Sequence, residues 1–276
     1  MILSIVTPSH RQLAWLRLCA ASVTDQGEGV EHVVQDALSD DGTREWLAAH
    51  PAIKAVSEAD AGMYDALNRG LRRATGEILG HLNCDEQYLP GALAAVRQYF
   101  QQHPEIDVVF ADALVVNGEG HCLCHRKVVL PQAAHTWACH LGTLTCATFF
   151  RRRVLTEKGL WFNPGFKSVG DAEWVLRLLS SGAKLGVLRQ FTSAFTITGD
   201  NLSLDHPAAE EWQRLRPWPA WLRLARPFLK VQHRLRRAWH GAYSHPPFHY
   251  GLYTKASPEQ RQDFAVEHPT GRWQGW

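Results

Sequence analysis

The sequence predicts an α/β protein: a mixed, largely parallel sheet flanked by helices, followed by a basic amphipathic helical extension. Two observations predict the sheet and a third the extension. Short apolar runs alternate with helical segments of roughly ten residues over the first hundred positions, as in strands joined by helical crossovers. Near Asp107 this gives way to two strand-like runs around Asn117-Gly118-Glu119-Gly120, a hairpin signal that makes the sheet mixed. Between Trp212 and Pro258 there is no Asp or Glu, while nine Lys and Arg are interleaved with Trp, Leu and Phe.

Taken in order, Ile2–Thr7 reads as the first strand and runs directly from the start without a basic flank, so it is expected to be structure rather than a signal peptide. Leu13, Leu16, Ala20 and Val23 give the next helix its buried stripe. Glu31–Asp36 is the second strand, Ser39–Thr43 a turn into a short helix around Trp46-Leu47, and Ile53–Ser57 the third strand. Met63, Ala66, Leu67, Gly70, Leu71 and Ala74 share one helical face, and Thr75-Gly76 is expected to stop that helix. Ile78–Leu82 is a short buried strand, and Leu89, Leu93, Val96 and Phe100 mark a helix after Pro90. Asp107–Val116 and His121–Leu130 form the hairpin, and Thr145–Phe150 is a further apolar run. Arg151–Lys158 and Asp171–Ser181 read as helices, and Lys184–Arg189 as the last strand.

The 276 residues suffice for a full core, expected as a domain over 1–200 and an extension over 201–276. With 45% hydrophobic and 20% charged residues the composition is globular, and a net charge of +2 selects no partner by itself. No apolar run reaches about 18 residues, so no membrane span is expected. Six cysteines without a C-x-x-C pair suggest reduced thiols in a cytoplasmic protein, and the His121–His125 run lacks a second ligand pair for structural zinc. In the extension, Arg214, Arg216, Arg223, Arg226, Lys230, Arg234, Arg236 and Arg237 alternate with Trp218, Trp221, Leu222, Leu224, Phe228, Leu229 and Trp239. That pattern suits the surface of an anionic membrane, on its cytoplasmic side, whereas no recognised motif points to nucleic acid.

The chemistry concentrates in Ser57–Tyr88. Asp60, Asp65 and the Asp85-Glu86 pair are spaced by a glycine turn, the amphipathic helix and a strand. Asn83-Cys84-Asp85-Glu86 follows that strand, and ligands of open α/β sheets bind at the carboxyl ends of strands. Adjacent carboxylates there suit Mg²⁺ or Mn²⁺, held by one or two carboxylates with phosphate oxygens and water. The combination points to a metal-bound, anionic sugar nucleotide.

Together these residues resemble the family-2 glycosyltransferases of the GT-A fold, especially bacterial enzymes of surface-polysaccharide assembly. The matching positions are Ser4–Pro8, Asp36–Thr43, the run Glu58–Gly70, Ala74–Gly76, Leu82–Glu86, Phe149–Arg152 and Gly170–Trp174. The resemblance implies that Thr7, Pro8 and Asp36 line the nucleoside pocket and that Asp60 recognises the base or ribose. It implies that Asn83 and Asp85 bind the donor, Asp85 through a divalent cation with Glu86 beside it. Asn68 and Arg69 would support the donor from their helix, and Asp171 would be the catalytic base. The implied donor is a UDP-sugar or a GDP-sugar, and the implied acceptor a glycan or a lipid-linked molecule. Glu86 stands where the family more often has Asp, and Thr145-Cys146 where many relatives have His-Gln. A nucleotidyltransferase is disfavoured because Thr7–Arg11 lacks the glycine-rich loop that holds a triphosphate. A non-catalytic nucleotide-sugar-binding protein is the other alternative.

Overall fold

The apolar runs of the first hundred residues become strands that pair in parallel. In a computed structural model describing residues 1–199, 206–215 and 220–273, β1 (Leu3–Ser9), β2 (Val30–Asp36), β3 (Lys54–Ser57) and β4 (Ile78–His81) lie in the order β3-β2-β1-β4. All their pairings are parallel. The crossovers are α1 (Leu13–Thr24), α2 (Thr43–Ala48) and α3 (Met63–Arg73). This arrangement lines up the carboxyl ends of all four strands on one edge of the layer.

The second half of the sheet is mixed, as expected. After β5 (Gln87–Tyr88) and α4 (Ala92–Gln102), β6 (Val108–Asn117) turns into β7 (Cys122–Arg126) as an antiparallel hairpin. Then come α5 (Ala133–Ala138), a 3-10 turn (Thr145–Ala147) and β8 (Thr148–Arg151), which sits antiparallel between β4 and β6. Following α6 (Arg153–Thr156) and α7 (Gly170–Ser180), β9 (Leu185–Ile197) runs parallel to β6 and pairs with β5 on its far side. Successive residues of a strand point to opposite faces. Val6 and Phe150 therefore join Leu67 and Leu71 of α3 and Trp174 of α7 in one core. Their neighbours Ile5 and Phe149 join Cys19 and Val23 of α1 and Phe100 of α4 in the other.

The structure differs from the sequence reading in several places. The last strand extends past Arg189 to Ile197, and α5 forms in a stretch assigned no helix. The extension holds α8 (His206–Leu215) and α9 (Ala220–Trp239), but it ends in a hairpin, β10 (Phe248–Thr254) and β11 (Ser257–Val266). Tyr250 and Leu252 bury against Leu89, Leu114 and Val116. Arg261 pairs with Asp25 at 2.6 Å, Tyr253 donates its hydroxyl to the same carboxylate at 2.9 Å, and Gln87 bonds both backbone groups of Tyr253. The hairpin turn contains Lys255-Ala256 and neither Gly nor Asn, so the usual turn signal is missing. The expected boundary at 200/201, Arg216 and Trp218 lie outside the described residues.

Gly76 works differently from the helix stop expected of it. The C-cap of α3 is Ala74 in an extended conformation. Gly76 instead lets the α3–β4 connection press against the start of β1. Its N–H donates to Ser4 Oγ at 2.7 Å, and its carbonyl accepts from Arg152 at 2.6 Å. A Cβ there would lie 2.7 Å from the Ser4 backbone nitrogen and 2.8 Å from the Ile2 carbonyl oxygen, main-chain atoms that cannot swing aside. Gly76→Ala is expected to destabilise the fold by about 1–3 kcal/mol. In urea unfolding this appears as a lower midpoint with an unchanged slope.

Candidate active site

The parallel edge delivers the acidic stations. Beyond β4, the Asn83–Glu86 turn folds back over the end of β1, where the Cys84 thiol donates to the Pro8 carbonyl at 3.4 Å. Asp85 sits half-buried on this turn. Burial pushes its carboxyl above the usual carboxylate range. Glu86 is pushed up further, first by burial and then by the charge of Asp85.

The structure separates these two neighbours and corrects the expectation for Glu86. Its side chain is fully buried, with Oε2 accepting the Asn83 N–H at 2.7 Å and Cys146 alongside. Its Oε1 has no hydrogen-bond partner, but a carboxylate enclosed this fully is closed to a cation that must also meet the phosphates of a diffusing ligand. Asp85 has the oxygen chemistry and the access that a hard divalent cation needs, with phosphate oxygens and water completing the shell. The chain thus fits such a cation through Asp85, without Glu86.

Asp171 opens α7, and its carboxylate accepts the Ala172 N–H at 2.8 Å. A helix N-terminus favours a carboxylate anion, yet burial prevails and pushes Asp171 up to about 6. It lines a small cavity with His81, Thr143, Thr145, Phe162 and Trp174. His81 shares a hydrogen bond of 2.9 Å with Asn83 Oδ1, so it links the Asp85 turn to the Asp171 cavity.

Two residues that set this geometry were given no role by the sequence. The Tyr64 hydroxyl accepts the Asp171 N–H at 3.1 Å, and Gly170 lies so close on its ring that a Cβ would fall at 2.6 Å. Tyr64 belongs to the Glu58–Gly70 run, which was the available signal. Glu211 of α8 accepts three backbone N–H groups ahead of α7: Lys167 at 2.6 Å, Ser168 at 2.8 Å and Val169 at 3.0 Å. Its charge also raises the Asp171 carboxyl, after burial. No sequence signal connects it to that distant loop.

The expected donor residues divide. Asp36 is fully buried and accepts from Ser39 N at 3.0 Å, Ser39 Oγ at 2.5 Å and Ser57 Oγ at 2.6 Å. It shapes the loop after β2 and ties it to β3. Asp60 accepts the Gly62 N–H through Oδ1 at 2.9 Å, while its buried Oδ2 has no partner in the protein. Pro8 is partly open beside the Asp85 turn. Thr7 differs from the expectation, because its side chain points into the core and bonds His32 at 3.0 Å. Asn68 differs too: its amide bonds both backbone groups of Phe162, at 2.7 and 3.0 Å, and so fastens α3 to the cavity wall. Arg69 is held by Asp65 at 2.9 Å, Glu58 at 3.2 Å and the Ala59 carbonyl at 2.9 Å, which braces the loop bearing Asp60.

Comparison with known proteins bears on the family and the fold. The description "Glycosyl transferase family 2" matches residues 4–159. The minor teichoic acid biosynthesis protein GgaB of Bacillus subtilis is 24% identical over 216 residues, covering 72% of this chain and 23% of that protein. A PGL/p-HBAD biosynthesis glycosyltransferase of Mycobacterium bovis is 32% identical over 119 residues, covering 41% of this chain and 46% of that protein. The chain thus spans less than half the length of these relatives. Among solved structures, TarS 1–349 of S. aureus in complex with UDP-GlcNAc has a TM-score of 0.62 at 16% identity, covering 86% of this chain and 72% of that one. The mannosyltransferase PcManGT of Pyrobaculum calidifontis, in complex with GDP-Man and Mn²⁺, has a TM-score of 0.57 at 19% identity, covering 88% and 76%. These structural likenesses establish the GT-A fold, as expected. With more than half its length matched, the chain belongs to glycosyl transferase family 2.

Proposed function

We propose that this glycosyltransferase moves a sugar from a nucleoside diphosphate to a hydroxyl of a glycan or lipid-linked acceptor, with inversion, at the cytoplasmic face of a membrane. Residues 1–200 would carry the chemistry, and the extension would complete the site through Glu211. The observation that carries the reading is the buried, raised Asp171 carboxyl, joined through the His81 cavity and Asn83 to the Asp85 turn. The relatives are named for teichoic acid and PGL/p-HBAD biosynthesis, and the structural neighbours are complexes with UDP-GlcNAc and GDP-Man, so UDP- and GDP-sugars are the donor classes to test.

In this reading Pro8 and the Asp36-held loop wall the nucleoside, and the partnerless Asp60 Oδ2 accepts a hydrogen bond from base or ribose. Asp85 holds Mg²⁺ or Mn²⁺. When bound, such an ion neutralises charge on the diphosphate leaving group. Asp171 removes the proton of the acceptor hydroxyl as its oxygen bonds the anomeric carbon and the bond to the diphosphate breaks. Attack from one face in a single displacement inverts that carbon. A base near 6 is still ionised at neutral pH and is stronger than an ordinary aspartate, the compromise that general-base catalysis favours.

Thermal shift with UDP or GDP, with and without Mn²⁺, tests the donor site. A metal-dependent rise with one of them is expected, and Asp85→Ala should abolish it. Asp171→Asn should keep that shift and lose transfer by about 10²–10⁴-fold. Folding raises the Asp171 pKa, so ionisation weakens the folded state as pH climbs from the ordinary aspartate range to about 6. The Asn variant should therefore be more stable at neutral pH, by on the order of 1 kcal/mol. Full transfer activity in both variants would sink the proposal.

A second expectation concerns pH. The acid limb of kcat/KM should fall near pH 6, where the Asp171 carboxyl titrates. Glu211→Gln removes a negative charge that helps to raise it, so the limb should move to lower pH. A variant that is slower but has an unmoved limb would show that Glu211 only holds the loop.

A further inference from the structure

We propose that the exposed face of α9 is a docking surface for an anionic lipid bilayer. Six large apolar residues of this helix, Trp221, Leu224, Phe228, Val231, Leu235 and Trp239, are between 51% and 89% exposed. At about 100° per residue they fall within an arc of about 80°. A stripe of that size, running the length of a 20-residue helix, exceeds the scattered apolar exposure of ordinary surfaces.

Another side of α9 is already occupied. Leu222 and Leu229 are buried against Ala138 and Cys139 at α5. The His233 ring stacks on His135 with centroids 3.9 Å apart, and Arg236 donates to the Leu130 carbonyl at 3.1 Å. Between the anchored side and the apolar stripe stand Arg226, Lys230 and Arg234, all exposed. The helix contains no acidic residue.

Charge selects the occupant. A second copy would bring the same cations to the interface and no carboxylate from this helix to meet them. An anionic headgroup layer satisfies the cations while the acyl boundary accepts the stripe, and tryptophan suits that boundary. No helix among the described residues is long and apolar enough to cross a membrane, so α9 would lie in the interface plane. The surface stands on its own geometry, and only its use for a lipid-linked acceptor rests on the transferase reading.

The experiment is flotation of the whole protein with phosphatidylglycerol-containing vesicles and with pure phosphatidylcholine vesicles. Two variants are compared with the parent: Leu224→Ser/Phe228→Ser/Leu235→Ser, and Arg226→Gln/Lys230→Gln/Arg234→Gln. The parent should bind the anionic vesicles, and salt should weaken binding. The first variant should lose binding, and the second should lose at least about tenfold in affinity for the anionic vesicles. Both should keep the donor-dependent thermal shift, which separates failure of this surface from failure of the transferase reading. Absence of binding by the parent, or equal binding by all three proteins, would overturn the proposal. So would a parent dimer in light scattering that the first variant splits.

Discussion

A carboxylate shut away from water must be surrounded by donors or resist ionising, and this constraint sorts the acidic residues of the molecule. Asp36 and Glu211 are wrapped in hydrogen bonds from backbone and hydroxyl groups. Both hold loops in place, and Glu211 in addition raises the Asp171 carboxyl by its charge. Asp85 and Asp171 are half-buried, and desolvation raises both carboxyls. Those are the positions where, in the proposed reading, an incoming cation or proton would relieve the cost of burial. Glu86 falls on the wrong side of this division for a ligand: its rise comes with complete enclosure, so nothing from the cleft can relieve it.

The division explains what the sequence could and could not reveal. Spacing along the chain fixed the order of strands and crossovers in the first half, because period and length distinguish strand from helix there. It also located the acidic stations, because the ends of parallel strands share one edge. Spacing says little about which way a side chain turns. Asp85 and Glu86 are adjacent and chemically alike, but the tight turn leaves one half-buried and encloses the other in the core. Thr7 and Asn68 were sound choices by position, and both are claimed by partners distant in sequence, His32 and Phe162. Glu211 was invisible for the same reason, since only the folded chain brings α8 to the loop before α7.

The extension illustrates a second limit. Its charge pattern was legible because composition needs no fold, and α9 forms where the pattern predicted a helix. The hairpin was not legible, since its turn lacks the residues that announce one. Yet the hairpin and α8 join α9 in binding the extension to the rest, through Asp25, Gln87 and the loop of Lys167–Val169. The tail is therefore tied, through Glu211, to the loop that leads into α7 and Asp171.

This connection gives the molecule a direction. The donor elements lie on the edge formed by β1 to β4, while α9 rests on α5, and the segment after α5 supplies Leu141, Thr143 and Thr145 to the Asp171 cavity. One short stretch of chain thus separates the apolar, basic face of α9 from the proposed base. A water-borne nucleotide and an acceptor held at a lipid surface would need different approaches to the same carboxylate. In the proposed reading the parallel strand ends would provide the first, and the α5–α9 side the second. The cavity between them is walled by Phe162 and Trp174, which exclude water around Asp171 and keep its carboxyl raised. The same enclosure that costs stability thus tunes the base.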